Sequence, residues 1–231
     1  MKTALAILLF TLNIPVVIAG ELATLENLGF SADARYFMFG QHVLRNNTGQ
    51  AYAEIGVVDV PKNDFVPGGW KKGSWKVTSH QGSRGALYEL LNNSRGLKER
   101  YGIYHLRQGR LLYTRSNGDE TIREEGDEMA GAPALRFRDF ERGIEFVVTL
   151  HMENARASTA AAFHIELTTT DSNGAVADYT VGRKDYMRSG VVSYRIDRIW
   201  CSSDGRSLVL AVAKEDESAS ISYMVETLSI K

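Results

Sequence analysis

Hydrophobic and polar residues alternate with a period of two along most of this chain, the pattern of β-strands with one face covered. In "YFMFGQ" after Arg35 and "SLVLAVA" after Arg206 the apolar residues occupy both parities, as in strands covered on both faces. Ile55, Val57, Val58 and Val60 read as another strand, closed by Pro61 and an Asn63-Asp64 turn. Farther on, Ile144, Phe146, Val148, Leu150 and Met152 share one parity, and Glu145, Thr149, His151 and Glu153 the other. In the next strand Phe163, Ile165 and Leu167 alternate with His164, Glu166 and Thr168. Hairpin turns are expected at Asn117-Gly118 and Asn173-Gly174. The period becomes helical only in residues 83–101, where Leu87, Leu90, Leu91 and Leu97 recur near helical spacing. Ser83 and Ser94 are candidate N-caps and Gly102 a stop, giving one broken helix or two short ones.

One phrase occurs twice. "FSADARYFMFGQ" and "CSSDGRSLVLAV" share Ser31 and Ser202 two places before Asp33 and Asp204, and Arg35 and Arg206 two places after them. Each phrase opens a strand, turn, strand, loop, strand unit, the first spanning about Leu28 to Val66. In each turn the serine hydroxyl and aspartate carboxylate are placed to accept backbone N–H bonds. Ala34 stands where the second copy has Gly205, so the first turn either avoids positive φ or bears about 1 kcal/mol of strain. Asp33 lies 26 residues before Asp59 and Asp204 lies 22 before Glu226, a difference the pattern assigns to the connecting loop. The predicted fold is one mainly-β domain over 20–231, with antiparallel sheets arranged as a β-sandwich or a degenerate propeller. A helical insertion interrupts it near 83–101, and the N- and C-terminal β units are adjacent.

The first nineteen residues carry Lys2, an apolar stretch from Ala4 to Ile18, and small residues Val17 and Ala19 at the places a signal peptidase reads. They predict a cleaved signal peptide and export to a periplasm or the medium, with no transmembrane span left afterwards. Cleavage removes one cation, lowering Lys+Arg from 27 to 26 against 28 acids, a balance unlike that of a nucleic-acid binder. Cys201 is the single cysteine, so no internal disulfide forms, and its apolar context reads as a buried small residue.

"GFSADARYFMFGQ", "AYAEIGVVDVPKNDFVPGG", "YMRSGVVSYRIDRIWCSSDGRSLVLAV" and "YMVET" resemble bacterial predicted secreted proteins grouped as domain of unknown function 2259. That resemblance brings no activity, substrate or catalytic residue. Locally, each phrase also resembles one blade of the β-propellers related to the Tol-system periplasmic protein. Two copies separated by more than a hundred residues do not supply the four or more tandem blades of a propeller.

Candidate chemistry is sparse. If the two strands around Asn154 to Thr159 pair antiparallel with apolar faces together, opposing residue numbers sum to an odd number, and His151, Glu153, His164 and Glu166 share one face. Imidazole and carboxylate suit zinc and its neighbours, while the wet side of a half-buried sheet also calls for polar residues. "GGWKKGSWK" displays Trp70 and Trp75 beside Lys71 and Lys72 in an expected loop, where aromatics stack on sugars or anchor a protein and lysines favour an anionic partner. The acidic run from Asp119 to Glu128 and Asp171 in "DSNG" both lack the calcium-loop spacing. No nucleophile-elbow, P-loop or dinucleotide-binding signature occurs. The reading therefore favours a non-catalytic envelope protein, without cofactor, that binds a protein or glycan through loops such as 66–76. The alternative is a metal-dependent enzyme on the His/Glu face.

Overall fold

The computed structural model describes residues 20–45, 48–77, 82–115, 134–156 and 159–230. The signal peptide expected over residues 1–19, the hairpin expected at Asn117-Gly118 and the acidic run Asp119 to Glu128 lie outside them. Twelve strands form three antiparallel four-stranded sheets among the described residues. Sheet 1 is a meander of β1 (Thr24–Phe30), β2 (Tyr36–Arg45), β3 (Gln50–Asp59) and β4 (Asp64–Lys76). Sheet 2 runs β12 (Ile221–Ser229), β11 (Ser207–Asp216), β10 (Val191–Cys201), β5 (Arg110–Thr114). Sheet 3 is the meander β6 (Ala134–Asp139), β7 (Ile144–Asn154), β8 (Ala160–Thr170), β9 (Val176–Ser189).

Side-chain parity explains how the sheets stack. On β11 Leu208, Leu210 and Val212 join a cluster with Phe146, Phe163 and Ile165 of sheet 3. The opposite parity, Val209 and Ala211, packs on Phe37, Phe39 and Val58 of sheet 1. Sheet 2 is thus the middle layer, buried on both faces, as the unbroken apolar run predicts. Sheet 1 is covered on its far side as well, where Met38, Ile55 and Val57 meet Leu87 and Leu90. The result is an open stack of three sheets, consistent with the expected sandwich or degenerate propeller-like arrangement.

The covering helices are α1 (Arg84–Asn93) and α2 (Arg95–Arg100), so the helical stretch resolves into two short helices. Gly40, on the helix face of β2, leaves the room they need: a Cβ there would come within 2.8 Å of Leu87 Cδ1. Ser83 and Ser94 occupy N-cap positions without capping through their side chains. The Ser83 hydroxyl instead meets Nδ1 of buried His42 at 2.8 Å, a tertiary contact that spacing along the chain does not reveal. Gly102 ends α2 at φ +60°.

The twice-written phrase forms two matching corners. In each, the serine hydroxyl donates to the aspartate (Ser31 to Asp33, 2.6 Å; Ser202 to Asp204, 2.5 Å) and accepts from the next strand's first N–H (Tyr36, 2.9 Å; Ser207, 3.0 Å). The Arg35 and Arg206 amides each donate to their aspartate at 3.1 Å. Ala34 adopts φ 55° against 74° at Gly205, so the first corner carries left-handed strain. The two corners touch, with the Ser207 hydroxyl donating to the Ala34 carbonyl at 3.1 Å. The terminal units are adjacent, packing face to face.

Register corrects one equivalence between the copies. Tyr36 pairs with Asp59, and Ser207, at the same distance from its aspartate, pairs with Ser229. Asp59 therefore corresponds to Ser229, not to Glu226. The two connecting loops are closer in length than the motif spacing suggests.

The outer edge of β12 is closed mainly by side chains. Gln41 accepts from the Tyr223 amide through Oε1 (2.8 Å) and donates through Nε2 to the Tyr223 carbonyl (2.8 Å). Asn63 accepts from the Thr227 amide through Oδ1 at 2.7 Å. At the near end, Ala23 and Glu21 bond Ile221 in a parallel bridge. Side-chain amides thus stand in for a neighbouring strand, one way of protecting an edge.

Asn63 also holds a left-handed backbone at φ 50°, so two effects are separable. Asn63→Gly keeps the backbone but strands the Thr227 amide, a loss of about 1–3 kcal/mol; Asn63→Ala adds about 1–2 kcal/mol of left-handed strain. Urea denaturation is expected to rank wild type above Gly above Ala. A Gly variant as stable as wild type would show the edge closure to be dispensable.

Candidate functional site

Three edge strands, one from each sheet, border a cleft of about 1220 Å³: β4, β12 and β9. On the β4 side the wall is aromatic. Phe39, Phe65 and Trp70 form a chain of rings, with centroids 6.3 Å apart for Phe39 and Phe65 and 4.8 Å for Phe65 and Trp70. The chain exists because β3 has glycine beneath it: a Cβ at Gly56 would lie 2.6 Å from Phe65 and 2.7 Å from Phe39. Trp70 remains half exposed at the rim, at 50%.

The floor is polar. Gln41 and Glu54 are cross-strand partners on the cleft face of sheet 1, and Gln41 donates to Glu54 through Nε2. The Tyr52 hydroxyl donates to the other Glu54 oxygen at 2.7 Å. Burial, then the neighbouring carboxylate, pushes the Tyr52 phenol far above its usual range. The Arg45 guanidinium lies 4.4 Å over the Tyr52 ring. At the far end Glu226 is buried and accepts from Asn63 Nδ2. Burial raises its carboxyl pKa, against the Asn63 bond and the charges of Arg188 and Arg183, which pull it down. Arg188 is held by rings, its guanidinium 5.2 Å from the Phe163 centroid and 4.9 Å from that of Tyr186.

The structure separates the residues grouped in "GGWKKGSWK". Residues 64–76 are strand β4, not a loop. Trp70 pairs with Gly56 and Trp75 with Ala51, so the two indoles lie on opposite faces. Trp75 folds over Gly73 and packs against the helix-side cluster. Lys71 and Lys72 are exposed on the edge strand, opposite Ile55 and Glu54. An uncommonly glycine-rich strand, broken by Pro67, hides its extended structure from a propensity reading.

The histidine pair does come together. His151 opposes His164 with ring centroids 4.7 Å apart and planes within 14°. Their numbers sum to 315, odd as the apolar-faces-inward register requires. Glu166 joins them, while Glu153 opposes Ala162 and is outside the cluster. This group lies on the outer face of sheet 3, and none of its members lines the cleft. Asp171 is a turn residue, its Oδ1 accepting from Asn173 at 2.8 Å and Ala175 at 2.9 Å, which holds its pKa low. Cys201 is a buried free thiol, raised in pKa chiefly by desolvation.

Gln41, Glu54, Tyr52, Asn63 and Glu226 are site residues that motif searching passes over. Gln41 did leave a signal, since it continues the parity of Phe37 and Phe39 and is itself buried. A polar residue in the apolar register of a doubly covered strand has a partner to find.

Glu226 makes the site pH-sensitive in stability. A carboxyl whose folded pKa is raised binds its proton more tightly when folded, so its ionisation weakens the fold as pH rises from about 4.5, the ordinary value, through the raised one. Glu226→Gln keeps an acceptor for Asn63 and removes the charge. The variant's melting temperature relative to wild type is expected to rise between pH 4 and pH 7.5; a difference independent of pH would contradict this.

No helix among the described residues is long and apolar enough to cross a membrane. Among curated proteins, none matches this chain. The family model described as "Predicted secreted protein (DUF2259)" matches residues 38–229, from the first buried strand of sheet 1 to the end of β12, and the protein belongs to that family.

Proposed function

We propose that this is an exported bacterial envelope protein that binds a glycan segment in the three-edged cleft. One observation carries the reading: a half-exposed tryptophan, backed by Phe65, stands directly beside a floor of amide, carboxylate and phenol groups. Sugar rings present an apolar C–H face and a rim of hydroxyls. An aromatic shelf takes the first, and carboxylate and phenol oxygens with lone pairs to spare take the second. Both Glu54 oxygens are already held by protein donors, so that carboxylate is fixed in orientation and offers its remaining lone pairs without reorganising. Arg183 and Arg188 on the β9 bank and Lys72 beside the rim favour sugars that carry carboxylates.

A protein partner fits less well. The mouth is flanked by three edge strands, yet half-exposed Trp70 sits over a recess rather than at the centre of a flat patch. Binding without chemistry agrees with the floor, where Glu54 and Glu226 are each tied to a structural amide.

Calorimetry with soluble peptidoglycan glycan strands and with neutral N-acetylglucosamine oligomers tests this. Binding is expected for the glycan strands, and Trp70→Ala is expected to weaken it by about tenfold, the worth of one stacking ring. Trp75→Ala is expected to lower the melting temperature and leave affinity unchanged, because that indole packs under the helices. Absence of binding to either glycan at millimolar concentration, or a Trp70→Ala variant of full affinity, would overturn the proposal.

A further inference from the structure

We infer that the outer face of sheet 3 holds a binding site for one divalent transition-metal ion, zinc being the probe, with His151, His164 and Glu166 as ligands. It is separate from the glycan cleft and stands or falls independently of it.

The argument begins with register. β7 and β8 pair so that His151 and His164 are directly opposed, and Glu166 follows His164 by two residues on the same face. Both imidazoles then turn their Nε2 atoms toward one carboxylate: His151 Nε2 lies 3.1 Å from Glu166 Oε2, and His164 Nε2 lies 3.8 Å from Oε1. Three ligand atoms, one from each residue, fall within 4.8 Å of one another. A tetrahedral zinc site with bonds near 2.0–2.1 Å separates its ligands by about 3.3 Å, so small side-chain rotations close the set. Glu166 is the most exposed of the three, at 60% of its side chain, and is free to make that movement.

The surroundings leave the site reachable. On the β9 side the residue opposite His164 is Gly182, at φ +89°, where a Cβ would come within 3.1 Å of the His164 Cα. The directly opposed β9 position therefore places no side chain beside His164. The histidines are partly exposed, at 35% and 23% of their side chains, so an ion enters from solvent without opening the fold. Two neutral nitrogens and one carboxylate oxygen are a donor set suited to zinc or copper rather than to calcium or magnesium. Three protein ligands leave at least one coordination position to water.

The mature, tag-free protein, stripped with chelator, is titrated with zinc sulfate by calorimetry. One ion per chain is expected. His151→Ala and His164→Ala are each expected to weaken binding by about 100-fold, and Glu166→Gln by about tenfold. Glu153→Ala, outside the cluster, is expected to change affinity less than about twofold. Near-UV circular dichroism verifies that each variant is folded. Absence of binding at 100 μM zinc, roughly the weak limit for a specific surface site, would overturn the inference. So would a folded His164→Ala variant with wild-type affinity.

Discussion

A sheet buried on both faces has only its edges left for solvent, and in this protein that constraint governs the middle layer. β11 sends Leu208, Leu210 and Val212 to one neighbour and Val209 and Ala211 to the other, so its position between two sheets is fixed by composition. Polar backbone buried with it must be paired, because an orphaned buried amide costs about as much as several favourable contacts supply. The interior strands satisfy this through their ladders. At the edge, β12 is met by Gln41, Asn63 and the segment before β1, and these partners hold sheet 1 and sheet 2 at a set offset.

That offset is what leaves the cleft. Gln41 reaches across to Tyr223 and Asn63 to Thr227, each spanning the gap that a further strand would otherwise occupy. Between them the wall of sheet 1 stays uncovered, and Phe39, Phe65, Tyr52 and Glu54 line it. The same two amides that close the edge also fix the two cleft carboxylates, Glu54 through Gln41 and Glu226 through Asn63. Edge protection and site construction are here one set of hydrogen bonds.

Much of the layering was legible in the chain. Apolar residues on both parities announced the doubly covered strands, and alternation from Ile144 to Thr168 announced the register that brings His151 to His164. The twin corners were readable because their chemistry is local: a serine, an aspartate and a residue able to take positive φ close the turn within five positions. The cleft was not readable, since it depends on contacts between residues more than 160 positions apart, such as Gln41 with Tyr223 and Asn63 with Glu226. β4 was missed for a different reason. Its glycines and Pro67 lower strand propensity, and the pairing with β3 overrides that preference. The Asp59 to Glu226 equivalence failed because acidic residues near the ends of two strands looked alike, whereas hydrogen-bond register, not residue type, defines position.

The placement of Glu226 adds a last step. A carboxylate with 6% exposure, raised in pKa by burial, works against the fold at neutral pH, and an apolar residue at that point would extend the packing of β12. Arg183 and Arg188 lie close enough to offset part of the penalty, yet both are themselves on the edge strand of another sheet, and neither forms an ion pair with it among the described residues. The charge is therefore incompletely neutralised by the protein alone, within reach of the cleft, beside an asparagine held in a left-handed turn. Strain and desolvation gathered at one end of a recess are costs that a purely structural edge has no reason to keep, and they add to the aromatic shelf as support for the proposed glycan cleft.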